Sequence, residues 1–145
     1  MSELLRVFVY GTLKPGESNY DAYCASRIVD IQAALAYGEL FDLPFDYPAM
    51  TAGDRPIYGY LLGFADPAVL EDLDELEGYS PHQALEDNEY LRDEIEVFSL
   101  DGQSLGVAWV YLMNLQQALS LGGTLVPEGK WTSNLKSNLP CSREL

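Results

Sequence analysis

Apolar residues in this chain gather into short runs rich in β-branched and aromatic side chains, and glycine or proline ends nearly every one of them. Such punctuation favours short strands and tight turns over long helices, and it predicts a sheet that bends. Residues 4–10 stop at Gly11 and read as a buried strand. Residues 31–43 spread around Gly38 as a second, although Ala33-Ala34-Leu35 keeps a helix open there. Pro44, Pro48, Gly53 and Pro56 then read as a loop, and residues 57–64 as a strand whose glycines mark bulges or a close backbone approach. Residues 91–100 and 104–113 form the arms of a hairpin turning at Asp101-Gly102.

Helical signals are fewer. Lys14-Pro15-Gly16 reads as a tight turn, and Ser18 or Asn19 is placed to cap a short helix through Tyr20, Tyr23 and Ile28. Asp66-Pro67 supplies a cap and a first-position proline for a helix over residues 67–77, closed by Gly78. After Asn114 a helical turn gives way to irregular chain around Gly122-Gly123, Pro127, Gly129 and Pro140. The order of elements predicts an α+β fold, a small mixed-sheet β-barrel curled by its glycines with flanking helices. At 145 residues the chain has room for one core, so residues 1–145 are read as a single domain.

Charge narrows the partners. With 23 acidic against 8 basic residues the net charge is −15, a field that repels nucleic acid and anionic membrane surfaces. No apolar run approaches the ~18 residues of a membrane span, and Met1-Ser2-Glu3 does not open like a signal peptide, so a cytoplasmic location is expected. Cys24 and Cys141 are expected to be free thiols, and no close Cys/His pair points to a metal. His82 is read as a surface or structural residue, and Trp109 and Trp131 as packing.

One residue breaks local rules. Projected at about 100° per residue, Leu76, Val69, Leu73, Glu77 and Leu70 share one arc of about 120°. Glu71, Asp72, Asp74 and Glu75 fall outside it and read as a solvated acidic face. Glu77 thus lies among leucines and in the last turn, where helix carbonyls already concentrate negative potential. Burial, the helix end and neighbouring acids would each raise its pKa toward the range useful for proton transfer. The other reading is a frayed end from which Glu77 bends into solvent. A second candidate is Tyr10-Gly11-Thr12-Leu13, where a strand runs into a glycine turn. Successive N–H groups there can form an anion-binding concavity, with the Thr12 hydroxyl as an added donor and the Tyr10 ring as a wall.

Together these segments resemble the γ-glutamylcyclotransferase-like family. Val9-Tyr10-Gly11-Thr12-Leu13-Lys14-Pro15-Gly16 is similar to its N-terminal signature, and Leu73-Asp74-Glu75-Leu76-Glu77-Gly78-Tyr79 to its second motif. Gly38-Glu39-Leu40-Phe41, Tyr47-Pro48-Ala49-Met50, Ile57-Tyr58-Gly59-Tyr60-Leu61, Tyr90-Leu91-Arg92 and Ala108-Trp109-Val110-Tyr111-Leu112 follow the family in type and order, so the resemblance covers about residues 6–113. It implies a small β-barrel and a reaction in which the α-amine of a γ-glutamyl group attacks its own γ-carbonyl, leaving 5-oxoproline and a free amine, with no cofactor or metal. It implies Glu77 as catalytic acid/base and Tyr10, Gly11, Thr12 and Leu13 as the loop holding the γ-glutamyl group. Tyr111 matches a pocket-lining tyrosine, and Tyr90 and Arg92 match a Tyr-x-Arg pair counted with the substrate-binding residues. The alternative is a non-catalytic module on the same fold that binds a small carboxylate metabolite.

Overall fold

The computed structural model describes residues 5–14, 17, 20–24, 26–44, 47–80 and 89–131. His82, Cys141, Pro15, Gly16, Pro140 and the expected caps Ser18 and Asn19 lie outside the described residues. The elements are β1 (Leu5–Val9), α1 (Tyr20–Tyr23), β2 (Ile28–Asp42), β3 (Pro48–Phe64), α2 (Val69–Leu76), β4 (Leu91–Ser99), β5 (Ser104–Leu112), α3 (Leu115–Ser120) and β6 (Thr124–Leu125).

Strand order is β3-β1-β5-β4-β2, and β2 pairs back onto β3, so the five long strands close into a barrel with β6 attached to the outer part of β2. The sheet is mixed: β1 runs parallel to β5 and every other pairing is antiparallel. Closure removes the exposed edges that an open sheet of this size would carry.

β1 shows why its sequence lacks a polar alternation. Phe8 and Tyr10 pack with Ala34, Ala36, Ala108 and Val110 in one cluster. Val7 and Val9 pack with Phe64, Val69 and Leu73 in another. Successive side chains point to opposite faces, so one set fills the barrel and the other lies under α2, and both are buried. The small alanines on the barrel side suit the narrow interior of a five-stranded ring. Trp131, 1% exposed, and Val126 complete that interior cluster. The tail after Asn114 is therefore more ordered than its glycines and prolines imply: Asn114 caps α3 through its side chain, and Val126 N–H donates to Leu40 C=O.

Two boundaries differ from the sequence reading. The segment with Pro48, Gly53 and Pro56 is strand, not loop. Pro48 opens β3, and the register passes from Glu39↔Thr51 to Gly38↔Arg55, so residues 52–54 bulge out just before Pro56. Proline is tolerated at a strand start and beside a bulge because no ladder N–H is required there. Ile28, expected at the end of the first helix, instead opens β2, and that helix is a single turn. Among the described residues no helix is long and apolar enough to cross a membrane.

Candidate active site

The helix carrying Glu77 starts later than its sequence signals imply. Asp66 Oδ1 accepts from Ala68 N–H at 2.9 Å, and Val69, Leu70 and Glu71 N–H each bond three residues back, so the capped first turn is tight and regular α-helix begins at Val69. Val69 and Leu73 are buried, whereas Glu71, Asp72 and Glu75 are exposed.

The other end shapes the site. Glu77 is the C-cap of α2, one residue beyond Leu76, its N–H bonded to Leu73 C=O at 2.9 Å. Gly78 follows at φ +69°, a conformation that a side chain disfavours. Tyr79 N–H returns to Asp74 C=O at 2.9 Å and Gly78 N–H to Glu75 C=O at 3.3 Å, the paired bonds of a Schellman ending. With the chain reversed there, Glu77 lines a cavity of about 300 Å³ instead of bending into solvent. Among the described residues no hydrogen bond or ion pair reaches its carboxyl. Burial, and secondarily the charge of Glu89, push its pKa up to about 8.

Residues 10–13 form the facing wall. Lys14 N–H bonds Gly11 C=O at 3.0 Å, turning the chain. Gly11 is needed for space and not for a left-handed φ: a Cβ would lie 2.6 Å from Cγ of Pro48. No backbone carbonyl among the described residues accepts from the N–H of Gly11 or Leu13. Lys14 turns away, its Nζ donating to Trp131 C=O, and among the described residues no lysine or arginine lines the cavity. From the described lining, backbone N–H groups are what offers positive potential to an anionic group.

Four tyrosines complete the wall, and each donates its hydroxyl proton to the protein. Tyr10 donates to Tyr111 C=O at 2.5 Å and accepts from Met50 N–H at 3.2 Å. Tyr90 donates to Pro48 C=O at 2.5 Å, Tyr47 to Glu89 Oε2 at 2.5 Å, and Tyr111 to Asp74 Oδ1 at 2.8 Å. Burial, foremost, raises all four phenols above their usual range, and the charge of Glu77 adds to each, so they stay protonated.

Seven of the eight site residues read from the sequence therefore share this cavity: Glu77, Tyr10, Gly11, Thr12, Leu13, Tyr90 and Tyr111. Arg92 does not line it. Its Nη1 pairs with Asp74 Oδ2 at 2.5 Å, and its guanidinium lies 5.2 Å from the Tyr79 ring centre and 4.7 Å from that of Trp109. Asp74 corrects the reading of a wholly solvated acidic face. Its side chain is 15% exposed and both carboxylate oxygens accept hydrogen bonds. Arg92 and Tyr111 are register partners across β4 and β5, which points both side chains at the same carboxylate. Sequence reasoning assigned no role to Tyr47, Pro48 or Glu89, which also line the cavity. Tyr47-Pro48 sits in one of the resemblance segments, and that was the available signal for the first two. Among the described residues no group of three His, Cys, Asp or Glu side chains is placed to hold a metal ion.

Residues 7–133 match the protein family described as gamma-glutamyl cyclotransferase, AIG2-like. A Vibrio cholerae protein named "Putative gamma-glutamylcyclotransferase" is 31% identical over 125 residues, 86% of this chain and 93% of that one. Among solved structures, an AIG2-like protein from mouse (Mus musculus) superposes with a TM-score of 0.68 at 20% identity, over 97% of this chain and 93% of the other. YkqA from Bacillus subtilis superposes with a TM-score of 0.63 at 23% identity, over 98% of this chain, which spans 43% of the length of YkqA.

Proposed function

As this chain belongs to the γ-glutamyl cyclotransferase, AIG2-like family, we propose that it converts a γ-glutamyl amide into 5-oxoproline and a free amine, with Glu77 as the single acid/base. The observation that carries this reading is the Glu77 carboxyl, without a partner among the described residues and lifted to about 8, sharing a cavity of about 300 Å³ with a loop in which the N–H groups of Gly11 and Leu13 meet no described carbonyl. That volume lies at the small end of ligand pockets and suits a group of amino-acid size.

The chemistry follows from what each wall can offer. The substrate's α-carboxylate and γ-carbonyl oxygen need hydrogen-bond donors, and the N–H groups of Gly11 and Leu13 are the open ones. Its α-ammonium needs an acceptor, which is Glu77. Before binding, a carboxyl with a pKa near 8 is largely protonated at neutral pH; an ammonium brought beside it favours the ionised form. Glu77 takes one proton from the ammonium, and the freed amine attacks the γ-carbonyl carbon to form the lactam C–N bond. Negative charge gathers on the former carbonyl oxygen. The bond to the leaving nitrogen breaks as Glu77 returns that proton to it; the new ring nitrogen gives up its one remaining extra proton, which the released amine carries away as an ammonium, so the carboxyl ends as it began. Confinement of amine and carbonyl in one small space lowers the entropic cost of ring closure.

Incubation with a panel of γ-glutamyl amino acids and γ-glutamyl amines, read by mass spectrometry for 5-oxoproline, tests the reading. Turnover is expected for at least one amide, and Glu77→Gln should reduce it by about 10²-fold or more. No 5-oxoproline from any of them, or full activity in Glu77→Gln, overturns it; ligand stabilisation without turnover would favour a binding module.

A further inference from the structure

The four tyrosine hydroxyls share an orientation that packing alone does not require. Tyr10, Tyr47, Tyr90 and Tyr111 line the same cavity as Glu77, and each of their hydroxyls donates to a group other than Glu77. A phenol beside a carboxylate ordinarily makes a short, charge-assisted hydrogen bond. Here every proton is drawn elsewhere: two by the main-chain carbonyls of Pro48 and Tyr111, one by Glu89, and one by Asp74. Asp74 lies one helical turn before Glu77 on α2 and receives Arg92 on its other oxygen.

We propose that Asp74 is a positioning residue that holds the Tyr111 hydroxyl proton away from Glu77, leaving the Glu77 carboxyl to the substrate's ammonium. The proposal rests on the cyclotransferase reading for its purpose, whereas its structural content concerns the unliganded protein. The polarity is set in sequence. Arg92 has only donors and claims Asp74 Oδ2. That leaves Oδ1, also only an acceptor, to take the Tyr111 proton. The Tyr111 oxygen then turns lone pairs, not a proton, toward the cavity, and serves as a second acceptor for an ammonium.

Asp74→Asn reverses this arrangement with almost no change of shape. Arg92 will claim the amide oxygen, the amide NH₂ will face Tyr111 and donate to its oxygen, and the Tyr111 proton becomes available to Glu77. Among the described residues the charged group acting on Glu77 is Glu89, just before β4, and Asp74 with its partner Arg92 lies one turn earlier along α2. The other titratable groups there are Tyr10 at the end of β1, Tyr47 before β3, Tyr90 and Tyr111. Of these, the substitution moves the Tyr111 proton and removes the Asp74 charge.

The test is a ¹³C NMR titration of the side-chain carboxyls in glutamate-labelled protein, with Glu77 assigned through Glu77→Gln. In Asp74→Asn the Glu77 midpoint should fall by about one pH unit from the wild-type value, as expected for a gained hydrogen bond to the charged form. Tyr111→Phe alone should leave the midpoint within a few tenths of a unit. Asp74→Asn in the Tyr111→Phe background should move it no further than loss of the distant Asp74 charge allows, well under half the single-mutant shift. An equal shift with and without the Tyr111 hydroxyl overturns the proposal, as does a folded Asp74→Asn protein with an unchanged midpoint. Should Asp74→Asn not fold, Tyr111→Phe decides: a raised Glu77 midpoint would mean that Tyr111 donates to Glu77 and that the proposal is wrong. Because no substrate is present, an inactive wild-type protein would refute the cyclotransferase reading without touching this result. With a turned-over substrate, the acid limb of kcat/KM should follow the same pattern across the four proteins.

Discussion

The two faces of α2 each carry an arginine–aspartate pair, and the pairs differ in everything but chemistry. On the outer face Arg27 meets Asp72 at 2.6 Å with side chains 40% and 50% exposed. On the inner face Arg92 meets Asp74 at 2.5 Å with side chains 19% and 15% exposed, between two aromatic rings and with Tyr111 on the second oxygen. Water screens the first pair and competes for each partner. The second has exchanged hydration for a fixed set of bonds, so the loss of either partner leaves a charge with nowhere to go. Arg92 Nε is already buried without a hydrogen-bond partner, a sign of how little water reaches that side. Equal distances therefore say little about the value of an ion pair; surroundings decide it.

The sharpest break in this comparison is Arg92→Met, which removes the guanidinium and strands the Asp74 carboxylate. A loss of about 3 kcal/mol is expected in chemical denaturation at neutral pH. Because Arg92 does not line the cavity, any residual folded protein should keep its KM more nearly than its stability. A loss under 1 kcal/mol would show that the inner pair behaves like the outer one.

A third carboxyl, that of Glu77 at the C-cap of the same helix, has no hydrogen-bond or ion-pair partner among the described residues, and it should respond to pH in the opposite sense from a paired acid. Its folded pKa is raised to about 8 from the ordinary glutamate value of 4.5. Between those values the unfolded chain has released a proton that the folded chain still holds, so the Glu77 contribution to stability declines as pH rises and levels off above about 8. Glu77→Gln, which cannot ionise, should match the wild type at pH 4 and exceed it by up to a few kcal/mol at pH 9. Thermal melts of both proteins across that range check this, and equal differences at both ends would refute it. The smallest effect belongs to the outer face, where Asp72→Ala should cost less than about 1 kcal/mol and less still in high salt.

Much of the site was legible because its signals are local. A helix period of 3.6 places Glu77 among leucines wherever the helix docks, and Gly78 after it ends the helix whatever lies beyond. The strands β1, β4 and β5 were likewise visible in their β-branched and aromatic residues, with Asp101-Gly102 marking the turn. Asp74 was misread for the complementary reason. On the helix wheel it lies with the acids, and the residues that bury it, Arg92 and Tyr111, stand on strands 18 and 37 positions later. The start of β3 was hidden behind two prolines, Pro48 tolerated as the first strand residue and Pro56 beside a bulge against β2.

By itself, then, the sequence determined what chemistry was available and which segments could carry it: one misplaced glutamate, a glycine-ended strand, and apolar runs that build a bent sheet. Tertiary structure alone decided which acid of this segment lines the cavity, Glu77, and which is tied to Arg92 and Tyr111, Asp74. Partner choice is a matter of which side chains the barrel's register brings within about 3 Å, and no local periodicity encodes a contact between a helix and two strands that close a ring.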